Sequence, residues 1–312
     1  MAQNEGFVGL DVGKFEIYVF ISKTGSSFSV PNTASGHARL QSQLGKPSEQ
    51  IIALEPTGGY EWAVWEILDM AGFDIRQVSA AHVRAFARAT GALAKTDPID
   101  ARLIAQYIAF RPQSGRRLPA ENLRHLNALS SKRRQLVELR KRLKCQIQQH
   151  HDPELVALDN ELLDLLSRQV KVLEDAVQSQ INADPQMQRH AKILRSIPGV
   201  GPVLCATLIG EMPELGTIGD KQIASLAGVA PINNDSGRTE GKRSIRGGRY
   251  NVRCLLYQAA LVASTHNQHL KAFAKRLKQK GKPHKVILIA VARKLLVITN
   301  SLVAKDQLWN AN

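Results

Sequence analysis

Cysteine is scarce in this chain, and acidic residues are scarce in its last quarter. Three cysteines occur in 312 residues, Cys145, Cys205 and Cys254. Their odd number and wide separation argue against a disulfide framework, and no pair has the spacing of zinc ligands. His150-His151 has no companion ligands at helical spacing and reads as a solvated helix end. Aromatics make up 5% of the residues. The cluster Tyr60, Trp62 and Trp65 reads as core contacts rather than a base-stacking platform. The longest apolar run, Val286 to Val303, is interrupted by Arg293 and Lys294, which suits a buried helix better than a membrane span. Met1-Ala2-Gln3-Asn4-Glu5 has no basic region leading into an apolar one, so no signal peptide is expected. A cytoplasmic protein with no membrane partner is the expectation.

What is abundant is positive charge. The net charge is +15 and the pI about 9.9, which calls for a polyanionic partner. The excess is uneven. Residues 1–112 are near neutral, whereas residues 235–312 carry roughly 16 basic residues against 3 acidic.

Apolar runs at 6–12, 15–22 and 26–31 read as a strand meander. A helix, a strand at 50–55, a helix at 60–71 and a strand at 73–78 follow. Helices at 80–90 and 97–110 close an α/β layered domain with a mixed sheet. Arg111-Pro112-Gln113-Ser114-Gly115 punctuates the chain and marks the end of a first domain, 1–112. Residues 113–190 form a second region. Leu129, Leu136 and Leu143 recur every seven residues, and Leu155, Leu158, Leu162 and Leu165 follow a three–four spacing. This predicts two long helices in a helical hairpin or coiled coil suited to oligomerisation. Residues 191–312 read as a third, mainly α-helical domain. In it, Gly199 and Gly201 lie in a turn whose amides can meet phosphate at a helix start. A plain tight turn explains the same residues equally well. Arg238, Lys242, Arg243, Arg246 and Arg249 crowd one loop and suit a nucleic-acid backbone.

Four acids stand out from the ordinary surface charge. Asp11 lies in the apolar run Phe7-Val8-Gly9-Leu10-Asp11-Val12, and Glu55 ends Ile51-Ile52-Ala53-Leu54-Glu55. Burying an unpaired acid there is costly. Asp97 and Asp100 share a helix face in Lys95-Thr96-Asp97-Pro98-Ile99-Asp100-Ala101-Arg102. A helix cap and a first-turn acid explain that pair taken alone, but not acids on core strands. One site for a divalent cation explains all four. Mg²⁺ fits, as two ions, with Mn²⁺ able to substitute, and such a site suits phosphodiester chemistry.

Asp11, Leu54-Glu55-Pro56-Thr57-Gly58 and Lys95-Thr96-Asp97-Pro98-Ile99-Asp100-Ala101, in that order, resemble the DEDD transposases of the insertion-sequence 110 family, whose relatives include the Piv DNA invertase. Ile197-Pro198-Gly199-Val200-Gly201-Pro202 is similar to the family's helix-hairpin-helix signature. Asn234-Asp235-Ser236-Gly237, Gly241-Lys242-Arg243 and Ile245-Arg246-Gly247-Gly248-Arg249 are similar to its serine-bearing segment, closest to the 1111 branch. The resemblance implies an RNase H-like (RuvC-like) fold for the first domain. It implies that Asp11, Glu55, Asp97 and Asp100 bind metal and that Ser236 attacks DNA to form a covalent phosphoserine link. It also implies donor and target DNA as partners, a guide (bridge) RNA, and a dimer or tetramer. Without it, Ser236 is one turn serine among many, and Ser244 is the alternative nucleophile. A metal-dependent nuclease that hydrolyses DNA, with the serine only touching it, is the rival. A non-catalytic nucleic-acid-binding protein is a weaker one.

Overall fold

The computed structural model describes residues 6–92, 96–233, 241 and 243–310. The chain divides into two compact units, Met1–Pro119 and Ala120–Asn312.

In the first unit, β1 (Gly6–Val12), β2 (Glu16–Ile21), β3 (Ser26–Pro31), β4 (Gln50–Leu54) and β5 (Asp74–Gln77) build one sheet in the order β3-β2-β1-β4-β5. The first three strands pair antiparallel as a meander; β1, β4 and β5 pair in parallel. The two parallel crossovers pass through helices, as parallel neighbours require. These are α1 (Ala34–Gln43), between β3 and β4, and α2 (Trp62–Met70), between β4 and β5. Helices α3 (Ala80–Ala89) and α4 (Asp97–Phe110) complete the unit.

Side-chain alternation sends the strands' residues into two cores. On one face Leu10, Ile17, Ile52 and Leu54 pack with Leu40, Trp65 and Leu68. Each such side chain contributes about 1.5–3 kcal/mol when fully buried. On the other face Ile51 and Ala53 pack with Val83, Ala87, Leu103, Ile104 and Ile108. Strand β4 is buried along its whole length because both faces are covered. The architecture is a mixed five-stranded sheet between helical layers, and it fits an RNase H-like domain.

The second unit is mostly helical. It comprises α5 (Glu121–Ile147), α6 (Pro153–Ala183), α7 (Pro185–Arg195), α8 (Pro202–Glu211), α9 (Asp220–Leu226), α10 (Tyr250–His266), α11 (Gln268–Gln279) and α12 (His284–Ala304), with a two-residue strand pair, β6 (Pro231–Ile232) and β7 (Ser244–Ile245). Proline opens α6, α7 and α8, where its missing N–H is not needed. Asp184 caps α7 by accepting from the Met187 amide at 2.9 Å. That bond, first among its contacts, holds the carboxyl below its usual range. Leu126 of α5 and Ile181 of α6 join Leu194, Leu204, Leu208, Leu256, Val291 and Leu295 in one core. Helix α12 is long and apolar enough to cross a membrane by length and composition. Here Ile287, Leu288, Val291, Leu295 and Leu296 are buried in the unit's core.

The long helices α5 and α6 run antiparallel. Arg133 pairs with Glu174 at 2.6 Å, and nearer the loop Arg140 donates to Ser167 at 3.4 Å. His150 does not face a set of metal ligands; its Nδ1 lies 2.6 Å from an Asp159 oxygen. The seam between the two helices is Leu136 against Leu166 and Val170, with Val137, Leu143 and Leu173 beside it. The three–four repeat of α6 is a different stripe. Leu155, Leu158, Leu162, Leu165 and Val172 all face solvent, Leu158 being 63% and Val172 66% exposed. Within the chain, α6 therefore turns to α5 a face other than the one its leucine spacing suggests.

Candidate active site

The parallel register of β1 and β4 runs Gly6↔Gln50 through Leu10↔Leu54. Continued by one residue, it sets Glu55 level with Asp11. Equal register on neighbouring strands, about 4.8 Å apart, sends both side chains to the same face. That face is the one α4 covers. Gly9, two residues before Asp11, also points there, and α4 crosses so closely that a Cβ on Gly9 would stand 2.0 Å from the Ala101 carbonyl oxygen. The absent side chain lets the helix start beside the strand end. Thr96 occupies the N-cap position of α4, so Asp97 is its first residue and not its cap; Asp97 and Asp100 are both first-turn acids, favoured by the helix dipole.

The result is a cleft of about 450 Å³ lined by Asp11, Glu55, Asp97 and Asp100 together with Thr57, Arg84 and Arg88. Four acids from three separate stretches of sequence thus share one concave surface. The charges of two of them reach the strand next door. The Tyr18 phenol, raised chiefly by its hydrogen bond to Glu16, is raised further by the charges of Asp97 and Asp11. Sequence reasoning alone misses Arg84 and Arg88. They sit four residues apart on α3, and that spacing, beside the core residues Val83 and Ala87, is the only signal for them. Both are exposed, and at the cleft they supply cations that offset the carboxylates.

The donor set is all oxygen and all anionic, the chemistry of a hard divalent cation such as Mg²⁺ or Mn²⁺ rather than of zinc or copper. Among the described residues, no three His, Cys, Asp or Glu side chains are drawn together as a ready-made ligand set.

Two polar networks hold the strand ends that carry Asp11 and Glu55. Asn32 donates from Nδ2 to the Gly13 carbonyl at 2.9 Å and to the Tyr60 carbonyl at 3.1 Å, while its Oδ1 lies 2.7 Å from His37 Nε2. The second network centres on Glu61, which is 3% exposed. Trp65 is fully buried in the helix and stacks on Trp62 with ring centroids 5.4 Å apart, so these two aromatics serve the core; Tyr60, expected there with them, is 47% exposed at the turn that precedes the helix.

The remaining sequence candidates belong to the second unit. Gly199 has φ +106°, and a Cβ there would meet the Ala263 Cβ at 2.6 Å; close approach to α10 accounts for this glycine. Gly201 is the N-cap residue of α8, with open space around it. Arg243 and Arg246 are described and lie beside β7. Arg249 is engaged by Glu214, with nitrogen–oxygen distances of 2.6 and 2.5 Å, so its guanidinium is committed within the fold. Ser236, Arg238 and Lys242 lie outside the described residues. The chain on either side of them is tied at its base. β6 pairs with β7, and the Arg249 amide donates to the Leu226 carbonyl at 2.8 Å.

Comparison with known proteins bears on this site directly. A sequence model described as a transposase, of the DEDD type named for IS110, matches residues 8–156, which include all four acids. A second, the transposase IS116/IS110/IS902 family, matches residues 191–275. The chain belongs to the IS110 family of transposases. Relatives extend along almost all of it. The pilin gene-inverting proteins of Moraxella bovis and Moraxella lacunata are 28% and 29% identical over 320 aligned residues, covering 96% of this chain and 96% of each relative. An uncharacterized 44.8 kDa protein of insertion element IS116 from Streptomyces clavuligerus is 28% identical over 150 residues, covering 46% of this chain and 37% of that one. The transposase is accordingly a DNA transposase or recombinase enzyme, and its DEDD domain implies dependence on a divalent metal.

Proposed function

We propose that this transposase cuts and rejoins DNA strands, with Asp11, Glu55, Asp97 and Asp100 holding Mg²⁺ and Ser236 acting as the nucleophile. The observation that carries the reading is the convergence of four acids, remote in sequence, on one cleft of an RNase H-like domain. The bound ions would supply positive charge against the phosphoryl and leaving oxygens. The protein's own part is to fix the strand. Arg84 and Arg88 meet its phosphates, the Ser236 hydroxyl attacks phosphorus, and the proton it loses is balanced by the one taken up by the departing DNA oxygen, which leaves as a hydroxyl. The O–P bond formed to serine replaces the O–P bond broken in the DNA. The phosphodiester energy is thereby kept, and a free DNA hydroxyl can reverse the step and join new ends without ATP.

The charge of residues 235–312, with Arg243 and Arg246 beside β7, supports backbone binding by the second unit. The turn at Gly199 and Gly201, read as one half of a helix-hairpin-helix, would add phosphate contacts. Family likeness extends the partners to a structured guide RNA alongside donor and target DNA.

The test is a denaturing gel of protein incubated with Mg²⁺, labelled junction DNA and the RNA that co-purifies with it. A labelled protein band is expected with wild type and none with Ser236→Ala. Cut DNA without a band, unchanged by Ser236→Ala, would instead establish a hydrolytic nuclease.

The exposed stripe of α6 points to a homo-oligomer in which a second copy of the chain covers it. Leu155, Leu158, Leu162, Leu165 and Val172 keep coiled-coil spacing and are otherwise left in water. Leu158→Glu with Leu165→Glu should lower the mass seen by sedimentation equilibrium toward that of the monomer. An unchanged mass would remove α6 from the interface.

A further inference from the structure

The buried carboxylate of Glu61 has no role in the chemistry described so far, and its partners are unusual. Among the described residues its hydrogen-bond donors are Thr57, Gly59 and Gln77, all uncharged. Oε2 accepts from the Thr57 amide at 3.2 Å, the Thr57 hydroxyl at 3.1 Å and the Gly59 amide at 2.9 Å. Oε1 accepts from Gln77 Nε2 at 3.1 Å. The turn Pro56–Gly59 is thus wrapped around the carboxylate, with backbone N–H groups facing inward as in an anion-binding nest. Gly58 and Gly59 hold φ of +76° and +112°, conformations that favour glycine. Behind this, Arg116 Nε donates to Gln77 Oε1 at 2.7 Å and the guanidinium lies over the Trp65 ring at 6.0 Å. Backbone bonds of 2.9 and 3.0 Å also join Gln77 to Arg116. Donors therefore converge on Glu61 from two sides, Arg116 through Gln77 on one and the turn's own N–H and O–H groups on the other.

That turn begins one residue after Glu55 and includes Thr57, and both line the cleft. We propose that Glu61 is a positioning residue, whose buried carboxylate shapes the turn after β4 and thereby sets the pose of Glu55 toward a bound divalent cation. The proposal rests on the reading of Glu55 as a metal ligand. Groups that orient metal ligands from behind typically weaken metal binding about 10- to 100-fold when they are lost.

The direction of every bond makes the idea testable by exchange. In Glu61→Gln an amide N–H must face either the Thr57 and Gly59 donors or the Gln77 donor, and a donor is left unsatisfied. Adding Gln77→Glu repairs the order. The new amide at 61 keeps its oxygen toward the turn and gives its N–H to the new carboxylate at 77, which still accepts from Arg116. The pair conserves net charge and nearly conserves volume.

The experiment uses the full chain as wild type, Glu61→Gln, Glu61→Gln with Gln77→Glu, and Glu55→Gln. It measures amide hydrogen exchange at Thr57 and Gly59, and Mn²⁺ affinity by calorimetry without DNA. Glu61→Gln should speed exchange at both amides and weaken Mn²⁺ binding about tenfold or more, and the exchanged pair should restore both. Unaltered exchange, or a pair no better than the single variant, overturns the proposal. If Glu55→Gln weakens Mn²⁺ binding and Glu61→Gln does not, the positioning role alone falls. If Glu55→Gln binds Mn²⁺ as wild type does, the proposal falls together with the reading of Glu55.

Discussion

Gly9→Ala should destabilise the first unit by about 3 kcal/mol or more, a value at or above the top of the usual overpacking range. The new Cβ would lie 2.0 Å from the Ala101 carbonyl oxygen and 2.6 Å from the Ala105 amide nitrogen. Both atoms are helix backbone, so no side chain can swing aside. Either α4 lifts off the sheet or β1 bends, and each movement opens the core formed by Ile51, Ala53, Ile104 and Ile108. A loss of that size lowers the melting temperature by roughly 10 °C for a unit of this size. Gly25→Ala is the matched control. Gly25 has φ +69° and nothing within 4 Å of a built Cβ, so it should cost only about 1–2 kcal/mol, for the left-handed conformation alone. Differential scanning calorimetry of both variants decides the matter. A melting temperature for Gly9→Ala within about 2 °C of wild type would mean that α4 can withdraw at little cost.

The same contact explains what could be read in advance. The meander, the parallel strands and the two helices after β5 follow from apolar runs and punctuation, and they lie within a residue or two of where periodicity puts them. The four acids are legible because each offends a local rule: Asp11 and Glu55 are charges at the ends of core strands, and Asp97 and Asp100 repel one another. Glu61 offends none, since an acid ahead of an amphipathic helix looks like ordinary surface. Its partners Thr57, Gly59 and Gln77 converge only when β4 and β5 are paired. Arg84 and Arg88 are hidden for the same reason, because two exposed cations a turn apart are the commonest thing a helix shows. Arg249 misleads in the opposite direction. By sequence it belongs with the basic residues of a loop, but Glu214, 35 positions earlier, takes its guanidinium in a two-bond pair. In α6 the leucine period is legible, yet period alone does not say which neighbour a stripe meets. The seam with α5 uses Leu166 and Val170, shifted round the helix from the repeat.

The largest effect on activity is expected from Asp11→Asn. Asp11 is the next-to-last residue of β1, between β2 and β4, level with Glu55 when the register is continued by one residue, and α4 brings Asp97 and Asp100 to the same cleft. Asparagine keeps the shape and removes one negative charge. Four carboxylates suit a pair of divalent ions because their charges cancel; three leave the ions less well held and turn an amide N–H toward a cation. A loss of about 4 kcal/mol of transition-state stabilisation corresponds to roughly a thousandfold in rate. Folding should be spared, and even helped, since removing one of four mutually repelling charges relieves the cleft. That opposite pair of signs is the diagnostic feature. The prediction is a strand-transfer rate at least about a thousandfold lower, a melting temperature equal to or above wild type, and retained DNA binding in a gel-shift assay. Loss of activity accompanied by a lower melting temperature would make Asp11 a structural acid at a strand end. Full activity would remove it from the site altogether. Raising Mn²⁺ should recover part of the Asp11→Asn rate, because a weakened site fills at higher ion concentration, whereas it should recover none of the activity lost in Ser236→Ala. The two variants thus separate the role proposed for the acids, holding the cation, from the role proposed for Ser236, making the bond to DNA.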